Sequence, residues 1–117
     1  MDKALPHYVE ALRIKPNNIK ALNDMGVALG RAGRWREAKG CLRKIILIQP
    51  GNVKARHNLG VILTREGELQ EALKQFQEVL KLNPDDVKAR DQLKLLMKKL
   101  NSGDFSSNSK QNIQVNE

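Results

Sequence analysis

The sequence predicts an all-α protein made of stacked helix pairs. Three observations lead to it: a repeat that shows when residues 19–52 are laid over 53–86, apolar side chains at helical spacing within each repeat, and asparagine, glycine and proline placed where such helices start and stop. The overlay needs no gap and gives ten identities, where unrelated segments would give about two. The identical pairs are Lys20/Lys54, Ala21/Ala55, Gly26/Gly60, Val27/Val61, Leu29/Leu63, Arg31/Arg65, Gly33/Gly67, Glu37/Glu71, Ala38/Ala72 and Pro50/Pro84. Going backward, Ala4, Tyr8, Ala11 and Pro16 keep the register; going forward, Lys88, Ala89, Leu93 and Lys99 do. The chain therefore reads as half a repeat (1–18), two whole repeats (19–52 and 53–86) and a further helix (87–100).

Each element has a local reason. Pro6 cannot donate a backbone hydrogen bond and suits the first turn of a helix, which is expected to begin near Leu5. Met1 to Lys15 corresponds to the second helix of a pair whose first helix is absent. Its apolar residues Leu5, Tyr8, Val9 and Leu12 are therefore expected to lack their usual cover, so that either a longer array or a second copy of the chain completes them. In the first whole repeat, Leu22, Met25, Gly26 and Leu29 share one helical face, and Gly33 ends the helix because glycine accepts the left-handed conformation found just past helix ends. A second helix begins near Trp35, carries Ala38, Leu42, Ile45, Ile46 and Ile48, and stops before Pro50. Asn18, Asn52 and Asp86 precede three successive first helices and are expected to cap them. Small residues at Gly26, Gly60, Ala38 and Ala72 let facing helices approach, with Leu42 and Phe76 filling the space beside them.

Composition agrees. Aromatic residues are 3% of the chain against 40% hydrophobic overall, so the core must come from Leu, Ile, Val and Ala. The net charge is +8, and the last seventeen residues hold one Lys, one Asp and one Glu, which places the basic character in the first hundred. From Asn101 the chain turns to Ser, Asn and Gln, and residues 101–117 are expected to be a disordered tail because they cannot bury enough apolar surface to offset ordering.

The 34-residue spacing, the repeated glycine (Gly26, Gly60), the repeated alanine (Ala38, Ala72) and the terminal proline (Pro50, Pro84) resemble the tetratricopeptide repeat family over residues 1 to about 100. The departures are Ile45 and Val79 in place of the usual alanine, and Arg56 and Arg90 in place of an apolar residue. The resemblance implies a right-handed superhelical alpha-alpha solenoid with 87–100 as a capping helix whose outward face is polar.

In arrays of that family the first helices line a concave face. Carried onto this chain, the binding positions are Lys20, Asn23, Asp24, Val27, Gly30 and Arg31, then Lys54, His57, Asn58, Val61, Thr64 and Arg65. The capping helix adds Lys88, Asp91, Gln92, Leu95, Lys98 and Lys99. Two rows of cations result, Lys20/Lys54/Lys88 and Arg31/Arg65/Lys99, which should attract an acidic or carboxylate-ended segment, with Asn23 and Asn58 placed to pair with an extended backbone. Against this stands the plainer role of long cationic side chains, which solvate a helix and cover its apolar stems. Some family members grip acidic chaperone tails with a clamp of Lys, Asn, Asn, Lys and Arg. Here only Asn58 and Lys88 match, while Asn23, Val27 and Gln92 occupy the other three places, which argues against binding of that type.

The expected function is thus a protein-interaction module, an adaptor or scaffold holding a peptide or protein segment. Nucleic acid ranks second because of the charge, but the face offers no aromatic residue for bases to stack on. No catalytic residue is assigned: His7, Cys41 and His57 lie on three different helices without metal-ligand spacing, and no serine precedes Ser102. No cofactor and no metal are expected, no apolar run approaches the length of a membrane span, and the single Cys41 suits a reducing, cytoplasmic setting.

Overall fold

The computed structural model describes residues 5–102. Among them are six α-helices and no strand: α1 (Leu5–Ile14), α2 (Ile19–Arg31), α3 (Trp35–Ile48), α4 (Val53–Arg65), α5 (Leu69–Leu82) and α6 (Val87–Ser102). The chain falls into two compact units whose boundary lies between Leu59 and Gly60, inside α4.

In the first unit α2 packs on both α1 and α3. Its core is Leu5, Ala21, Leu22, Ala28, Leu29, Ala38, Leu42, Ile45, Ala55 and Leu59. Asn18 caps α2 by accepting from the Ala21 N–H at 3.1 Å, and Asn52 caps α4 by accepting from the Ala55 N–H at 2.8 Å. Gly33, at φ 79°, ends α2. There the Arg34 N–H donates to the Leu29 carbonyl and the Gly33 N–H to the Gly30 carbonyl, which satisfies two carbonyls the helix would otherwise leave open. Gly26 faces Leu42, whose Cδ2 would lie 3.4 Å from a Cβ placed on the glycine.

The second unit repeats these devices. Gly67, at φ 80°, ends α4 with the Glu68 N–H on the Leu63 carbonyl and the Gly67 N–H on the Thr64 carbonyl. Asp86 caps α6 by accepting from the Ala89 N–H at 2.9 Å. Ile62, Leu63, Leu69, Ala72, Phe76, Val79, Ala89 and Leu96 form the core, and α5 packs on α6.

Several expectations are corrected. Leu5 is only 6% exposed, so the open apolar surface of α1 is carried by Val9 and Ile14 at 54% and 65% exposure, while Tyr8 and Leu12 are half-buried. Of the apolar residues that α3 carries, Ile48 lies in the last turn and is exposed, and Ile46 is half-buried. The outward face of α6 is not wholly polar, since Leu95 and Met97 are exposed among Lys94, Lys98 and Lys99. That helix also runs to Ser102, past the expected end at 100, and the rest of the expected tail, 103–117, lies outside the described residues. Arg56 and Arg90, which depart from the family pattern, have a structural use. The Arg56 guanidinium donates to the Pro50 carbonyl at 2.9 Å, and that of Arg90 to the Pro84 carbonyl at 2.9 Å, so each ties a turn to the helix that follows it.

Asn52 also donates through Nδ2 to Gln49 Oε1 at 2.9 Å, so one side chain holds both sides of its turn. Asn52→Ala is expected to lower stability by about 1 kcal/mol in urea unfolding, with Asn52→Asp retaining most of it because the carboxylate keeps the cap.

Candidate functional site

The residues expected to bind are set by helical spacing. On α2, Asn23, Asp24, Val27 and Arg31 recur at i, i+1, i+4 and i+8 along one face, and on α4 Lys54 and Asn58 stand one turn apart. These six residues line an open cleft of about 380 Å³ in the first unit, together with Ala28 and the Tyr8 side chain from α1. An adjoining opening of about 500 Å³ is bordered by Ile19, Lys20, Asn23, Asp24, Asn52 and Lys54. Lys20, Asn23, Val27, Arg31, Lys54 and Asn58 are thereby brought to one region.

Inside it the polar groups are already partly committed. Asn58 Nδ2 donates to Asn23 Oδ1 at 3.4 Å, joining α2 to α4, and Asn23 is 9% exposed. The pair leaves the Asn23 Nδ2 group, the Asn58 Oδ1 atom and one Asn58 N–H to offer a ligand, a mixture of donors and acceptor suited to peptide backbone. Lys20 Nζ lies 3.2 Å from Asp24 Oδ2, so the Lys20 charge is partly offset; with the lysine side chain 87% exposed, the pair contributes little to stability. Arg31 and Lys54 carry no ion pair among the described residues. They are the cations the cleft presents without compensation.

Of the other expected residues, His57 and Val61 are half-buried on α4 and line neither opening. Arg65, Lys88 and Lys99 are exposed and Gln92 is half-buried; these four belong to the second unit. Tyr8 is the residue sequence reasoning missed. As the counterpart of Leu42 one repeat earlier, it reads in the sequence as a packing residue, and the binding face is expected to hold no aromatic ring; the structure puts Tyr8 in the cleft wall because α1 packs directly on α2.

Nothing else among the described residues resembles a reactive centre. Among the described residues no group of three or more His, Cys, Asp or Glu could hold a metal ion. Burial pushes the Cys41 thiol above its usual range, with Glu37 adding to the effect and Lys44 opposing it, which keeps it a weak nucleophile. Glu37 is held below the usual carboxylate range by its hydrogen bonds from Arg34, at 2.7 Å to each oxygen. Among the described residues no helix is long and apolar enough to cross a membrane.

The model of the tetratricopeptide repeat matches residues 53–86. No curated protein matches the chain. Among solved structures, the first such domain of Spaghetti (RPAP3), bound to the HSP90 peptide SRMEEVD, is similar at 22% identity over 83% of this chain and 77% of that one, with a TM-score of 0.79. The second domain of human RPAP3, in complex with the HSP70 peptide SGPTIEEVD, is similar at 24% identity over 81% and 79%, with a TM-score of 0.75. A Thermobaculum terrenum O-GlcNAc transferase is similar at 26% identity over 80% of this chain but only 18% of its own length, with a TM-score of 0.73. These likenesses show an all-α helical-repeat fold. Residues 53–86 match the tetratricopeptide repeat, the segment 19–52 repeats its caps, glycine and proline in register, and the fold is similar to that of domains built from such repeats.

Proposed function

We propose that this chain is a protein-interaction module that holds an extended peptide or protein segment in the cleft between α2 and the first turns of α4. The observation that carries it is the hydrogen-bonded Asn23 and Asn58 pair with unused amide groups, flanked by Arg31 and Lys54. The amides suit a peptide backbone, and the two cations suit a carboxylate on it. Peptides bound to two similar structures, SRMEEVD and SGPTIEEVD, are acidic, which supports the same ligand class here. The chaperone tails themselves are not the proposed ligand, because Asn23, Val27 and Gln92 occupy three of the five clamp places.

The test is fluorescence anisotropy with short acidic peptides ending in a free carboxylate, their amidated forms and basic counterparts, using SRMEEVD for comparison. Acidic peptides should bind best, and Lys54→Glu should weaken them about tenfold or more, the equivalent of one lost charge-assisted hydrogen bond, while leaving the helical spectrum unchanged. Equal affinity for basic peptides, or binding indifferent to Lys54→Glu, would sink the proposal. A cytoplasmic setting fits a lone, half-buried thiol. Self-association through Val9 and Ile14 of α1 is the second reading, favoured by their exposure, and a mass independent of concentration in sedimentation would remove it.

A further inference from the structure

The outer face of α3 carries features the fold does not use. Arg36, Gly40, Arg43, Lys44 and Leu47 are all exposed, and helical spacing puts them on one side, away from the buried Ala38, Leu42 and Ile45. Leu47 is 82% exposed. Glu37 is the single acid of α3, and its carboxylate is taken by Arg34, so Arg36, Arg43 and Lys44 stand without an ion pair among the described residues. Gly40 interrupts the helix with ordinary helical geometry, and a Cβ there would meet nothing within 4 Å. Glycine in a helix interior costs stability, and neither close packing nor a turn explains it here.

The chain contains its own control. In α5 the matching positions of the next repeat are Gln70, Lys74, Gln77, Glu78 and Lys81, an ordinary solvated face on a helix that occupies the same place in its repeat. A repeat therefore folds without the glycine, the arginines or the exposed leucine.

We propose that the outer face of α3 docks an acidic amphipathic helix of a partner protein. A missing side chain at Gly40 lets a partner helix bring its backbone close. Leu47, two turns further along, offers an apolar anchor, and Arg36, Arg43 and Lys44 flank the contact with charge complementary to Asp and Glu. Phosphate recognition would use the cations but neither the glycine nor the leucine. A membrane surface would need a broader apolar face than Leu47 supplies. This surface is independent of the cleft.

The test uses the full chain and four probes: a fluorescent helix-forming peptide with Glu and Leu along one face, a scrambled peptide of the same composition, a single-stranded RNA oligomer, and vesicles containing phosphatidylserine. The helical peptide should bind the native chain about tenfold or more tighter than the scrambled one. Exchanging the α3 face for that of α5 (R36Q/G40K/R43Q/K44E/L47K) should bring binding of the helical peptide down to that of the scrambled one, and its thermal melt should be at least as high as that of the native chain, which separates lost docking from lost folding. Gly40→Gln alone keeps the charge and should still weaken the helical peptide about tenfold. The proposal is overturned by equal binding of scrambled and helical peptides, by undiminished binding to Gly40→Gln, by no binding at low salt, or by RNA or vesicles binding more tightly than the helical peptide.

Discussion

Leu42→Asp is expected to abolish the cooperatively folded state. Leu42 is 1% exposed in the middle of α3, between the equally buried Ala38 and Ile45 and against Gly26 of α2. A carboxylate there would lose its hydration, and the side chains named around it offer it no cation. An uncompensated buried charge costs about 3–5 kcal/mol, and the leucine's own packing is lost as well. Domains of this size have total stabilities of about 5–15 kcal/mol, so little of the native population would survive. The sign of the pH dependence follows. Burial raises the folded-state pKa of the introduced carboxyl above its unfolded value of about 3.9, so the penalty is absent below that pH and grows as pH rises through the folded-state value. Leu42→Asp should therefore recover helical signal towards acid, whereas Leu42→Ala, with a cost of about 2–5 kcal/mol, should show no such recovery. Circular dichroism across pH separates the two.

The two motif glycines should respond differently to the same substitution. A Cβ on Gly60 would fall 2.7 Å from Phe76 Cζ and 2.8 Å from Cε2, and the ring is fully buried. A Cβ on Gly26 would meet only Leu42 Cδ2 and Cγ at 3.4 Å and Cys41 Cβ at 3.5 Å, which slight rotation of a leucine side chain accommodates. Overpacking costs about 1–3 kcal/mol, while replacing glycine in a helix returns about 1 kcal/mol. Gly60→Ala should thus lose up to about 2 kcal/mol, and Gly26→Ala should be neutral or gain up to about 1 kcal/mol in urea unfolding. Phe76→Leu combined with Gly60→Ala should cost less than the two changes summed, because leucine is the partner the first repeat already uses. Equal effects at Gly26 and Gly60 would show that ring contact does not set the second unit's packing.

Much of the fold is legible because its devices recur in register. Asn18, Asn52 and Asp86 stand at the same point of successive repeats and make the same bond to a backbone N–H three positions on, and Gly33 and Gly67 adopt the same left-handed turn. Such features depend on neighbours close in sequence, so spacing exposes them. The cleft is legible only in part. Periodicity groups Asn23, Val27, Arg31, Lys54 and Asn58, which line the cleft, but does not show that Lys20 reaches Asp24 or that Asn58 reaches Asn23, since those depend on side-chain rotamers and helix separation. Tyr8 escapes the sequence reading because its counterpart Leu42 packs inside a helix pair, whereas Tyr8 borders the open cleft. Arg56 and Arg90 look like flaws in an apolar position. Their identical placement after Pro50 and Pro84 is the signal of a shared bond, visible once the bond is known.

Binding in the cleft has consequences that can be separated from charge attraction. General attraction to a basic chain would perturb lysines and arginines on every helix and vanish with salt. Seating a peptide across the Asn23 and Asn58 pair instead requires those amides to reorient or accept new partners. The most direct measurement is a nuclear magnetic resonance titration of the isotope-labelled chain with a short acidic peptide at physiological salt, following the side-chain amide signals of Asn23 and Asn58 beside those of Asn83 and Asn101. Saturable shifts at Asn23 and Asn58, with Asn83 and Asn101 still, are expected for a peptide lying in the cleft. Shifts spread over all lysine-bearing surfaces, or confined to residues outside the α2 and α4 face, would contradict it.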